Sequence, residues 1–143
     1  MIRRALVVLA VAASVSAPAV AGDKPYHGEV KGRIELARAS LAPTGWKLEQ
    51  VFTGSLVPGG AGWASLPLEP GREYRVVGRC DDDCSALDLV LSRDALPIDR
   101  DVDHDKLPSV DYRPRFTGNY TVTAHMVECT AATCRYGLAL FSR

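Results

Sequence analysis

The chain has 143 residues, with seventeen basic and seventeen acidic side chains, so its formal charge is zero. That balance gives no general electrostatic attraction to nucleic acid or anionic lipid. Gly and Pro are plentiful at turn positions and Val and Leu recur in alternating runs, a composition that leans to an all-β sandwich or barrel rather than a helical fold.

Residues 1–21 read as a secretory signal peptide. Arg3 and Arg4 form a charged start, Ala5 to Val15 an apolar stretch, and Ala19-Val20-Ala21 a small-x-small cleavage site. The apolar stretch is interrupted by Ser14, Ser16 and Pro18 and falls short of the roughly 20 residues that a membrane span needs. Cleavage after Ala21 would leave a chain with no membrane span, a charge near −2 and a location in the periplasm or outside the cell. Its length suits one domain with a core of its own. Residues 22–45 read as a loose leader, 22–28, followed by one short amphipathic helix. In that helix Val30, Ile34, Ala37 and Leu41 recur at helical spacing, and Pro43 and Gly45 end it.

From Trp46 to Arg143 turn signals come often, at Pro58-Gly59-Gly60, Pro70-Gly71, Pro97, Pro108, Pro114 and Gly118. Between them lie strand-like runs over 48–56, 63–68, 73–80, 86–91, 109–113, 119–129 and 134–141. Short alternating runs at this spacing predict an antiparallel β-sandwich, jelly-roll-like, behind the N-terminal helix. A period of two places Tyr74, Val76 and Gly78 inward, then Leu87, Leu89 and Leu91, then Tyr120, Val122, Ala124 and Met126. Arg75, Val77 and Arg79 fall on the opposite face. Trp46 and Trp63 read as core fillers, with an aromatic binding platform as the alternative.

The four cysteines sit in two short loops, Cys80 to Cys84 and Cys129 to Cys134, each between strand-like runs. An oxidising compartment makes them disulfides. Four cysteines allow three connectivities. The close spacing favours two local pairs, while cross pairing stays open because both loops fall at one end of the sandwich. A four-cysteine zinc site is the metal alternative.

Two acidic runs, Asp81 to Asp83 and Asp99 to Asp105, supply the oxygen ligands that calcium prefers, with Asp81, Asp83, Asp99, Asp101 and Asp103 as the candidate ligands. The second run lacks the Gly and terminal Glu of an EF-hand loop, and solvated acidic loops are the competing reading. No cofactor other than calcium is expected. His104 beside Asp101 or Asp105 could form part of a hydrolase triad. Yet no serine stands in a nucleophile setting, and Ser55, Ser65, Ser85 and Ser92 occupy ordinary strand or turn positions. The residues therefore point away from an enzyme.

Three motifs between Leu68 and Phe141 carry a resemblance. They are Leu68-Glu69-Pro70-Gly71-Arg72-Glu73-Tyr74, then Leu87-Asp88-Leu89-Val90-Leu91, then Pro114-Arg115-Phe116-Thr117-Gly118-Asn119-Tyr120-Thr121-Val122. In order and spacing they resemble the bacterial pre-peptidase C-terminal domain, over about half of the chain. The resemblance implies a small β-sandwich that accompanies exported enzymes as a non-catalytic module, some members binding calcium or extracellular polymers. The two cysteine loops are additions to that pattern. Independently of it, a Gly shortly before Tyr74 and Tyr120 lets each phenol fold back over a corner and satisfy a backbone group. The expected function is binding of a protein, a polysaccharide or another cell-envelope ligand, with a calcium-dependent structural module as the alternative.

Overall fold

The computed structural model describes residues 26–143. The expected leader and its cleavage site lie outside the described residues. Helix α1 spans Tyr26–Leu41, so the helical backbone begins three residues before the expected start and takes in part of the segment read as loose leader. A single 3-10 turn, Ala42–Thr44, follows, and Gly45 closes it at φ 87° with its N–H on the Ala42 carbonyl at 3.0 Å. That left-handed conformation suits glycine because a Cβ would crowd the backbone.

Eight strands follow: β1 Lys47–Leu56, β2 Ala61–Leu68, β3 Tyr74–Cys80, β4 Cys84–Arg93, β5 Leu96–Asp101, β6 Ser109–Tyr112, β7 Gly118–Cys129 and β8 Cys134–Ser142. They form two four-stranded sheets, ordered β1-β8-β3-β6 and β2-β7-β4-β5, with every pairing antiparallel. First pairs with last, second with seventh, third with sixth and fourth with fifth. This is one long hairpin rolled up on itself, the strand order of a jelly roll.

Strand β5 has no counterpart among the expected runs. Its turn from β4 is the two-residue pair Asp94 and Ala95, at φ 49° and 63°. Successive positive φ values match the twist of a tight hairpin, and the usual sequence signal for them is a glycine that this turn lacks. Pro97 looked like a turn residue. It sits instead within β5, an edge strand of its sheet, where a missing N–H donor is tolerated.

The inner faces of the sheets enclose the main core. It includes all the residues expected to point inward: Tyr74, Val76, Leu87, Leu89, Leu91, Tyr120, Val122, Ala124 and Met126 are buried, with Gly78 on the same face. Gly78 has a packing role, since a Cβ there would lie 3.0 Å from Pro108 and 3.1 Å from Leu87. The β4–β7 ladder shifts register around Ala86, and both Ala86 and the core residue Leu87 are buried although adjacent in sequence.

A second apolar cluster lies outside the sandwich. Val30, Ile34 and Ala37 of α1 pack with Trp46 onto Val77, Ala139 and Phe141, the outward residues of β3 and β8. The helix sits close because Gly137 has no side chain; a Cβ there would lie 2.7 Å from Ile34 and 2.8 Å from Val30. Sheet β1-β8-β3-β6 is thus covered on both faces and the other sheet on one, so the molecule is three layers deep. Val77, placed outward by alternation, is buried for this reason.

Candidate functional site

The two cysteine pairs are local, Cys80–Cys84 and Cys129–Cys134, and no free cysteine remains among the described residues. Cys84 and Cys129 are register partners on β4 and β7, so both loops share one end of the sandwich, as strand parity requires. The loops are also stitched together. Thr130 donates to the Asp83 carbonyl from its N–H at 2.8 Å and from its hydroxyl at 3.1 Å. Two disulfides point to an oxidising compartment. Among the described residues no helix is long and apolar enough to cross a membrane.

The aspartates divide between two places. Asp81 is 2% exposed; one carboxylate oxygen accepts from the Arg135 N–H at 2.7 Å and the other has no hydrogen-bond partner among the described residues. It lines an open cleft of about 290 Å³ together with Asp83, Ser55, Thr133 and Arg135. Asp99, Asp101 and Asp103 lie on or just after β5. Asp101 accepts from the Ser109 N–H at 2.8 Å, so its carboxylate ties the edge of one sheet to the edge of the other. Asp99 accepts from the neighbouring Arg100 N–H at 2.9 Å. Among the described residues no group of three or more His, Cys, Asp and Glu side chains is placed to hold a metal ion.

His104, at φ 57°, pairs with Asp88 at 3.0 Å rather than with Asp101 or Asp105. Asp88 is buried on the outward side of β4 and His104 is exposed. Among the described residues no hydroxyl or thiol is hydrogen-bonded to His104. The pair therefore lacks the nucleophile that a triad needs.

The two tryptophans part company. Trp46 is buried, with the guanidiniums of Arg75 and Arg143 at 4.9 and 4.5 Å from its ring centroid. Trp63, also expected in the core, is 71% exposed. Its residue alternates outward on β2, beside Thr123 of β7, on the sheet face that no helix covers.

Beside α1 runs an open groove of about 520 Å³. The outward residues of β3, Arg75, Val77 and Arg79, form its floor. Leu36 of α1 and Leu107, just before β6, are its lips, 72% and 62% exposed. The basic groups lining it are unequally matched. Arg33 is held by Glu29 at 2.8 Å, by Asp82 and by the Cys80 carbonyl. Arg75 makes two parallel bonds to Asp111 at 2.6 and 2.5 Å. Arg79 donates at 2.6 Å to the carbonyl of Gly78 and has no carboxylate partner among the described residues. Burial pushes its guanidinium below the ordinary arginine value, against the pull of the Asp105 charge. A half-buried cation with no carboxylate bonded to it, between two exposed leucines, is suited to receiving an anion with apolar flanks.

At the end of the sandwich away from the disulfides is a cleft of about 640 Å³, lined by Arg72, Arg113, Arg115 and Arg143 around Glu73. Glu73 accepts from Arg143 at 2.8 Å and Arg113 at 3.1 Å, and these two bonds hold its carboxyl below the usual range. Arg72 is held by Glu49 at 2.5 Å. Arg115 has no ion pair among the described residues. The corner tyrosines stand at the same end: the Glu69 N–H donates to the Tyr74 hydroxyl at 3.2 Å and the Tyr120 hydroxyl donates to the Phe116 carbonyl at 2.8 Å.

No family model matches the chain, and no curated protein is similar to it.

Neither the groove nor the arginine cleft was anticipated in the sequence. Their residues come from segments far apart along the chain, and only the rolled topology brings them together. The one available signal for the groove was the nearly unbroken apolar run from Tyr136 to Phe141. A strand buried on both faces reads that way, which would have announced a covering helix and hence a groove beside it.

Proposed function

We propose that this chain is an exported, non-catalytic binding module that uses the groove beside α1 to hold an acidic, leucine-like segment of a partner protein. The observation that carries the reading is Arg79, a half-buried guanidinium without a carboxylate partner between Leu36 and Leu107. An extended peptide fits an open groove better than a compact small molecule, which prefers an enclosed site. Export rests on the leader-like residues 1–21 with cleavage after Ala21, and the two disulfides support it. The likeness to pre-peptidase C-terminal domains supports a non-catalytic role beside another exported protein.

The test is calorimetric titration with a capped Leu-Glu-Leu peptide and its Leu-Gln-Leu counterpart. Arg79→Gln should weaken the glutamate peptide by about tenfold or more, as expected for loss of one charge-assisted hydrogen bond. It should leave the glutamine peptide nearly unchanged. Equal affinity for both peptides in the parent chain would remove Arg79 as the anchor.

Exposed Trp63 favours a second reading, in which the uncovered sheet binds a polysaccharide through ring stacking. Trp63→Ala would then abolish retardation on an immobilised glycan while leaving peptide binding intact.

A further inference from the structure

The sandwich end that carries the arginine cleft also presents two exposed apolar side chains, one in a loop and one at the start of a strand. Phe116, between β6 and β7, is 60% exposed, and Leu96, the first residue of β5, is 69% exposed. Both lie beside Arg93, which is the register partner of Leu96. Arg93 is also the register partner of Tyr120, and its guanidinium lies 5.0 Å from the Phe116 ring centroid and 5.8 Å from that of Tyr120. Next to them stands the cleft with its four arginines, in which Glu73 is the one lining carboxylate side chain and Arg115 is unpaired among the described residues. The acidic runs are elsewhere: Asp81 to Asp83 lie at the disulfide end, and Asp105 reaches Leu87, whose N–H donates to its carbonyl at 2.9 Å. The near-zero net charge therefore hides a local excess of arginine in the cleft, although Asp94, 83% exposed in the turn before Leu96, and Glu49, paired with Arg72, add negative charge at the same end.

We propose that the arginine end docks the module on an anionic lipid surface. The guanidiniums of Arg72, Arg113 and Arg115 would engage phosphate headgroups while Phe116 and Leu96 enter the headgroup region. Two independent features converge on this occupant. Guanidinium forks match phosphate oxygens two at a time, and several of them face one opening. A free phosphate or nucleotide would use the arginines but give no reason for two exposed apolar side chains beside them. A lipid surface uses both, because apolar side chains gain by partial burial at the interface while basic groups gain from its negative potential. Glu73 holds Arg113 and Arg143 in place, and Arg143 is further tied to the Thr44 carbonyl, so Arg72, Arg113 and Arg115 are the groups left to engage a headgroup. The site is separate from the peptide groove, so the two proposals stand or fall independently.

The experiment is sedimentation of the protein in its processed form, beginning at residue 22, with vesicles of phosphatidylcholine alone or mixed with phosphatidylglycerol. Binding should require phosphatidylglycerol and should fall steeply as salt is raised. Arg115→Glu together with Phe116→Ser should weaken it by about tenfold or more, since each basic residue near an anionic surface is worth roughly a factor of five. Leu96→Ser alone should weaken it less. These positions are exposed, so the melting temperature and the peptide titration should be unchanged in the variants. Equal binding to both vesicle types, or full binding by the double variant, would overturn the proposal. Displacement from vesicles by inorganic phosphate at matched ionic strength would also overturn it, by showing a site for a free anion instead of a surface.

Discussion

Ala95 is held at φ 63°, in the second half of a turn that both central residues enter with positive φ. For an L-residue that conformation costs about 1–2 kcal/mol, and glycine avoids it. Glycine also adds freedom to the unfolded chain, which takes back about 0.4–1 kcal/mol. Ala95→Gly should therefore stabilise the protein by about 0.5–1 kcal/mol, read as a higher urea midpoint with an unchanged slope. A lower midpoint would mean that the turn does not hold this geometry. Glu73 gives a second prediction at the same scale. Hydrogen bonds from Arg143 and then Arg113 lower its carboxyl, and hydrogen bonds from Ser142 and then Arg72 lower that of Glu49. A carboxyl lowered in the folded state contributes stability that is complete above its unfolded value, about 4.3 for glutamate, and is lost as pH falls towards the lower folded value. Stability should thus decline on acidification below about pH 5, and Glu73→Gln should flatten that decline in a series of melting curves. A variant with the parent's pH profile would show that the paired arginines add nothing there.

Among the elements, β4 and β7 form the central ladder of their sheet, and the alternation in their sequence was enough to place their side chains. Leu89 is fully buried between the sheets, so Leu89→Ala should cost about 2–5 kcal/mol. Thr121 stands on the opposite phase of β7 and is only partly covered, so Thr121→Ala should cost far less. Equal losses in urea unfolding would mean the register is wrong. The inner core was legible because period-two patterning is a local signal that survives whatever the strand pairs with. What stayed hidden depended on partners. Val77 and Phe141 alternate outward, and only the approach of α1 over Gly137 buries them. Strand β5 was masked by a turn without glycine and by Pro97, both tolerable only because the strand is an edge. Arg79 reads in the sequence as an ordinary outward strand residue; its lack of a bonded carboxylate is a property of the assembled groove.

At the scale of the molecule the two ends of the sandwich are built differently. One end is stapled by both disulfides, with Cys80, Cys84 and Cys134 completely buried in the inner core. The other end is held by corner tyrosines and by arginine–glutamate pairs. The described chain is long enough for a core that stands without cross-links, and the apolar cluster between the sheets runs from the Cys80 end to Leu68 and Tyr74 at the other. Each bridge closes only a short loop, of sequence separation 4 or 5, so it removes little freedom from the unfolded chain. Loops of that size correspond to about 2 kcal/mol in the chain-entropy account. Replacing Cys129 and Cys134 together by Ser should therefore lower stability by about that amount, plus the smaller cost of placing a hydroxyl where Cys134 is buried. The variant should still fold, and it should still bind vesicles, because the arginine end lies at the far side of the sandwich. Circular dichroism and urea titration of the variant decide the matter. A chain that is unfolded without denaturant would mean that the bridges hold up the fold rather than fix the loop tips, and the two ends could no longer be treated as independent.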